Sequence, residues 1–275
     1  MPVGAEPMAT IPVDSGRIAY RRIGQGRPLL VLNGPAATVA DWDPLFIDRL
    51  ASASELVLLD NRGIGASTDE GATFNISKLA EDVVRVIETL DLGAPSVLGW
   101  SMGGFIAQTL ALALDHPNCV HKLILLSTDP GGADAELASP AVRAQLTDMS
   151  GTPHEQARRL LFLLFPKDVA ESIYREFGDM VAAARSRLSP ELVYRQALAM
   201  DVWHRDGVGD RLRKLRALTL VAAGTEDIVI PPSNALALVN AIPGAQLAQF
   251  SGGGHAFMAQ YRRQLADLIN EFLAL

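Results

Sequence analysis

A serine hydroxyl attacks a carbonyl only when it is presented free of its neighbours and a base stands ready for its proton. Gly99-Trp100-Ser101-Met102-Gly103 has the G-x-S-x-G pattern of a nucleophile elbow. Before it, Ala94-Pro95-Ser96-Val97-Leu98 reads as a short buried strand; after it, Gly104 to Leu114 is rich in helix formers. In a chain with 23 glycines the pentapeptide alone is a weak signal, and the strand–turn–helix setting is what sets it apart. The turn must hold Ser101 in a strained backbone so that its hydroxyl projects into solvent. A bulky residue at 99 or 103 would collide with the returning strand and helix. The helix that starts there aims free N–H groups at the site, which favours developing negative charge.

The base for such a serine is usually a histidine steadied by a carboxylate. The histidines are 116, 121, 154, 204 and 255, and His255 stands apart. It follows Ser251-Gly252-Gly253-Gly254, directly after an apolar strand, so a loop of small residues can carry it over the sheet edge. The competing reading is a plain surface-loop histidine. His116 and His121 flank a helix-to-strand segment at the opposite end of the sheet. His154 and His204 lie in a helical region, where His204, beside Trp203, either lines a pocket or packs. Asp227 leads among the carboxylates, within Gly224-Thr225-Glu226-Asp227-Ile228-Val229-Ile230-Pro231. Glu226 and Asp129 are the alternatives.

The elements that must position these residues follow from turn signals and periodicity. Asp14-Ser15-Gly16-Arg17 predicts a hairpin between Thr10–Val13 and Ile18–Ile23. Apolar runs at Pro28–Leu32, Leu56–Leu59, Leu123–Leu126, Ala217–Ala223 and Gln246–Phe250 predict further strands, eight in all with the one before Ser101. Helices are expected over Pro44–Ala51, from Ser77 as N-cap through Leu90, from Pro231-Pro232 through Ala241, and over Gln260–Leu273. Strands alternating with helices imply a mostly parallel sheet covered on both faces. Residues 129–213 break the alternation: helical patterns, divided by prolines and glycines, with no strand signal. The reading is a core domain of 1–128 and 214–275 with a helical cap inserted at 129–213.

Composition narrows the class. The chain has 275 residues, 49% hydrophobic and 20% charged, which suits one large α/β domain with an insertion. Its net charge of −7, without a basic stripe, speaks against a nucleic-acid partner. The single cysteine, Cys119, forbids an intrachain disulfide and is read as structural, in keeping with a cytoplasmic protein. The first residues show no signal-peptide pattern. No apolar run approaches the roughly 18 residues of a membrane span. No histidine–carboxylate cluster has metal-ligand spacing.

With these motifs in place the chain resembles the α/β-hydrolase superfamily, in its capped, esterase-like branch. The resemblance runs from the first hairpin to the last helix. It rests on the Gly99–Gly103 elbow and on Asp60-Asn61-Arg62-Gly63-Ile64-Gly65-Ala66-Ser67, similar to the family's D-x-R-G-x-G-x-S. The Gly224–Pro231 loop, Gly254-His255 and the chain order Ser101, Asp227, His255 complete it. It implies an α/β-hydrolase fold, a Ser101–Asp227–His255 triad and no metal or organic cofactor. It also implies a structural role for the Asp60 segment, with Arg62 held by carboxylates or carbonyls.

In the family an H-G-x segment supplies one oxyanion N–H and the residue after the nucleophile a second; Met102 fits the latter. Here the first segment reads Asn33-Gly34-Pro35, and Pro35 has no N–H to donate. A missing donor typically costs on the order of 100- to 1000-fold. Ala36 N–H in a shifted loop is the favoured replacement, with Asn33 and Gly34 as alternatives.

The expected activity is hydrolysis of small to medium carboxylic esters through an acyl-enzyme. The expected pocket includes Trp100, Pro35, Leu163 and Trp203, under apolar cap residues such as Leu160, Phe162 and Phe165. Perhydrolase, lactonase and carbon–carbon hydrolase chemistries use the same residues. A ligand sensor with little turnover is the reading from a different class.

Overall fold

The structure is a computed structural model and describes residues 8–71, 73–113 and 120–275. The Met1–Pro7 segment, His116 and Cys119 lie outside the described residues. Among those described, one sheet runs through the molecule in the order β1-β2-β4-β3-β6-β7-β8-β9: β1 (Ala9–Val13), β2 (Gly16–Ile23), β3 (Pro28–Leu32), β4 (Glu55–Leu59), β6 (Ser96–Trp100), β7 (Lys122–Leu126), β8 (Leu218–Gly224) and β9 (Gln246–Phe250). The first three in this order pair antiparallel and the rest parallel. A ninth strand, β5 (Thr68–Asp69), pairs with Gly16–Arg17 at the start of β2. The sequence reading has eight strands because two residues are too few to show any periodicity.

Alternation along the central strands sorts their side chains into two cores. Leu30, Leu32, Val57, Leu59, Val97, Leu123, Leu125 and Val221 face one side. There they meet α2 (Ile76–Thr89), α3 (Met102–Ala111) and α8 (Ser233–Ala241). Leu29, Val31, Leu56, Leu58, Leu98, Ile124, Leu126 and Leu220 face the other, against α1 (Pro44–Ala51) and α10 (Arg262–Ala274). Between β9 and α10 lies a short α9 (Phe257–Gln260), so the expected final helix is broken at Tyr261. The start of α2 also differs from expectation: Asn75, not Ser77, is the N-cap, its side chain accepting from Lys78 N–H at 2.7 Å. On β7, Lys122 Nζ reaches the last carbonyls of α10, Phe272 at 2.9 Å and Leu273 at 3.0 Å. Burial pulls its pKa down, and those carbonyls complement the charge it keeps.

Between β7 and β8 the described chain holds helices and 3-10 turns but no strand: α4 (Pro140–Thr147), α5 (Pro153–Leu164), α6 (Lys167–Arg185) and α7 (Pro190–Asp206). Prolines at the first turns of α4, α5 and α7, each behind a capping Ser or Thr, start these helices where the sequence is punctuated. The buried stripe of α7 is Leu192, Val193, Gln196, Ala199 and Trp203. It faces the loops at the C-terminal ends of the strands: Leu192 packs on Gly63, Gln196 reaches Ala36, and Trp203 reaches Asp129.

Arg62 is buried and saturated. It donates to Asp82 at 2.8 and 2.6 Å and to the carbonyls of Ser15 and Asp14, both at 2.7 Å. Burial opposes its charge, but Asp82 and Asp69 outweigh it and the net shift is upward. Asp60 carries the companion task. Its carboxylate accepts from Val39 N–H at 2.8 Å and Ala66 N–H at 2.9 Å, tying the loop after β3 to the turn after β4. Burial raises the Asp60 pKa against those two bonds.

Candidate active site

Ser101 is the N-cap residue of α3 with φ 55° and ψ −122°, a region costing a non-glycine residue roughly 1–3 kcal/mol. A serine in that position normally turns its hydroxyl onto the helix's first N–H groups, and this one makes no such bond. Its backbone is pinned instead: the N–H donates to Leu126 O at 3.0 Å, and the carbonyl accepts from Gly104 N–H at 2.8 Å and Thr128 Oγ1 at 2.9 Å. The glycines are demanded by contact. A Cβ on Gly103 would lie 2.3 Å from Leu32 O, and one on Gly99 2.3 Å from Gly103 O. The hydroxyl expected to face solvent does not: Ser101 is only 4% exposed, because residues of the insertion pack on the helix that it heads.

Asp227 and His255 lie on the loops that follow β8 and β9, at the same edge of the sheet as Ser101. His255 Nδ1 is 2.9 Å from Asp227 Oδ2 and 3.1 Å from Oδ1. Asp227 Oδ1 also accepts from Val229 N–H and Ile230 N–H, each at 2.9 Å, so its carboxylate is fixed before it holds the ring. Both residues are buried. With Nδ1 engaged, Nε2 is the ring nitrogen left for a hydroxyl. Trp100, the residue before Ser101, ties this loop to the elbow: Nε1 donates to His255 O at 3.0 Å, and the rings lie 5.6 Å apart.

The other sequence candidates fall as follows. Glu226 makes no pair with His255, its N–H donating to Gly253 O. Asp129 pairs with His204, Nε2 to Oδ2 at 3.2 Å, and also accepts from Trp203 Nε1 at 3.0 Å and Gly131 N–H at 2.8 Å. Trp203 stacks on Phe105 at 4.8 Å, and Leu163 is buried in the same cluster. His154 lies on the outside of the insertion against Asp179, and His121 at the far end of the sheet against Arg27.

Met102, first in α3, has no intrahelical acceptor for its N–H. The Asn33 amide is fully occupied in the scaffold, Nδ2 on Leu59 O at 2.8 Å and Oδ1 accepting from Trp42 Nε1 at 2.5 Å. Gly34 packs against the elbow: a Cβ built on it would stand 3.4 Å from Ser101 Cβ. Half-buried Pro35 follows, and then Ala36, at φ 56°, whose N–H donates to Gln196 Oε1 at 2.8 Å.

Gln196, which meets the candidate oxyanion loop at Ala36, is a residue of the candidate site that sequence reasoning missed. It was visible as a lone polar position in the stripe 192, 196, 199, 203 of α7, where the other three side chains are apolar. No group of three or more His, Cys, Asp or Glu among the described residues is arranged to hold a metal. No helix among them is long and apolar enough to cross a membrane.

A family profile described as alpha/beta hydrolase fold matches residues 27–260, and the chain belongs to that family of hydrolases. A protein of Azorhizobium caulinodans named "Putative carbamate hydrolase RutD" is 30% identical over 260 residues, 92% of each chain. The 2-hydroxymuconate semialdehyde hydrolase of Pseudomonas sp. strain CF600 is 28% identical over 267 residues, 91% of this chain and 88% of its own. Among solved structures, Est816, described as an N-acyl homoserine lactone degrading enzyme, superposes with a TM-score of 0.76 at 27% identity, over 96% of this chain and all of its own.

Proposed function

We propose that this hydrolase cleaves small to medium carboxylic esters, lactones included, by serine catalysis. Ser101 Oγ attacks the acyl carbon while His255 Nε2 takes its proton. Asp227 holds Nδ1–H and stabilises the imidazolium. Met102 N–H and Ala36 N–H bind the oxygen as it becomes an oxyanion. The intermediate collapses, the alkoxide leaves with the proton from His255, and water attacks the acyl-enzyme by the same route to release the acid. In this reading the insertion at 129–213 is a cap that closes a small-molecule pocket beside Trp100, Pro35, Leu163 and Trp203.

The observation that carries the reading is the buried Asp227–His255 pair, 2.9 Å apart, joined by Trp100 to a serine in a strained turn with no capping bond. The relatives support attack at a carbonyl carbon: a carbamate, a semialdehyde and a lactone, the compounds in their names, are all carbonyl compounds.

Release of nitrophenol from short- and medium-chain para-nitrophenyl esters tests it. Wild type is expected to turn over steadily, and Ser101→Ala to lose on the order of 10³-fold or more in kcat. A folded wild type that binds such compounds without product would make the protein a sensor instead.

A further inference from the structure

The Ala36 N–H that the proposed reaction needs is not vacant. Gln196 Oε1 sits on it at 2.8 Å, an sp² amide oxygen where the acyl oxygen of a substrate would dock. The other half of the same amide is the more telling. Gln196 is 1% exposed, and its Nε2 is buried with no hydrogen-bond partner among the described residues. A buried donor left unsatisfied costs about 1–3 kcal/mol. The helix around it is well anchored: Leu192 packs on Gly63, Arg195 pairs with Asp69 at 2.5 Å, and Trp203 bonds Asp129. Local looseness therefore does not account for the orphan.

We propose that Gln196 is a specificity-determining residue for substrates carrying a second acceptor oxygen near the scissile carbonyl, such as a keto group. At rest its Oε1 holds the oxyanion donor in the absence of substrate. On binding, the substrate carbonyl takes over the Ala36 N–H, the side chain turns aside, and Nε2 donates to the second oxygen. A plain acyl chain displaces the plug, so Oε1 loses the Ala36 N–H while Nε2, already unpartnered at rest, gains nothing in return, and the ester binds at a penalty. The proposal rests on the reading of Ala36 as oxyanion donor in a serine hydrolase.

Kinetics on para-nitrophenyl hexanoate and its keto-substituted counterpart test it in wild type, Gln196→Met and Ser101→Ala. Wild type is expected to prefer the keto ester in kcat/KM by roughly three- to tenfold, the worth of one hydrogen bond. Gln196→Met, of similar size and without either polar group, is expected to abolish that preference and to lower KM for the plain ester by a similar factor. Turnover that depends on Ser101 but shows no keto preference in wild type overturns this proposal alone, whether or not the variant folds. An equal change on both esters in Gln196→Met assigns the residue a structural part and overturns it too. A wild type inert on both esters overturns the serine-hydrolase reading, and this proposal with it.

Discussion

Among the described residues, two Asp–His pairs with buried aspartates stand at the same edge of the sheet, and they are built for different ends. Asp227 and His255 both belong to core loops, both are sequestered, and the carboxylate keeps two backbone N–H bonds besides the ring. Asp129 also stands just past a strand, but His204 comes to it from α7 and is partly exposed. Its carboxylate serves Trp203 and Gly131 as well. The first pair adjoins a strained serine; the second is a clasp between core and insertion. An aspartate beside an imidazole is thus only a component. What stands on the other side of the ring, and whether the partners share one rigid body, decides its use.

That contrast can be broken most sharply at the carboxylates. Asp227→Asn is expected to lower kcat by about 10⁴-fold with little change in fold, because the amide no longer holds the imidazole in the needed tautomer. The check is pre-steady-state and steady-state ester kinetics alongside a circular dichroism melt. Asp129→Asn is expected to act the other way round. Stability in urea falls by about 1–3 kcal/mol as the buried bonds to Trp203 and His204 are mismatched, while kcat stays within about threefold. Comparable rate losses in the two variants would erase the distinction drawn here.

A smaller effect separates the clasp from another tie between core and insertion, Asp69–Arg195. Burial pushes the Asp69 carboxyl up, but Arg195 and Arg62 together outweigh it, and its pKa lies below the ordinary 3.8. A depressed carboxylate contributes stability above its unfolded value and loses it as pH falls. The difference in unfolding free energy between wild type and Asp69→Asn is therefore expected to be constant above pH ~5 and to shrink steadily in more acidic buffer. A difference that persists unchanged in strong acid would rule out a charge origin.

Much of this was legible in the chain. The elbow, eight of the strands and the helical stretch between β7 and β8 follow from local patterns, because strand periodicity and turn chemistry act over a few residues; the order of the strands in the sheet does not. Asp227 and His255 could be picked by their place after strands. Their distance could not, since it depends on how two loops fold back on the sheet. The two-residue β5 left no periodic trace. The partners of Asp129 and Ala36 come from α7, some 75 and 160 residues further along, and no local pattern encodes such meetings. The same holds for the burial of Ser101, which the elbow alone would leave open to water.

One contact has a bearing on how such a protein could change over generations. The loop bearing His255 is hydrogen-bonded to the C-terminus of α5 through Ala256 N–H and Leu164 O at 3.0 Å. Gly254 lies so close that a Cβ there would meet Leu164 O at 2.5 Å. On the proposed reading of the insertion as a cap and His255 as the base, the part of the chain free to diversify for new substrates is stitched, main chain to main chain, to the part that must stay still. Drift in α5 cannot retune selectivity without tugging on the imidazole. Adaptation is expected to enter first through α4 and the outer face of α6, and to spare the joint where Leu164 meets the glycine loop.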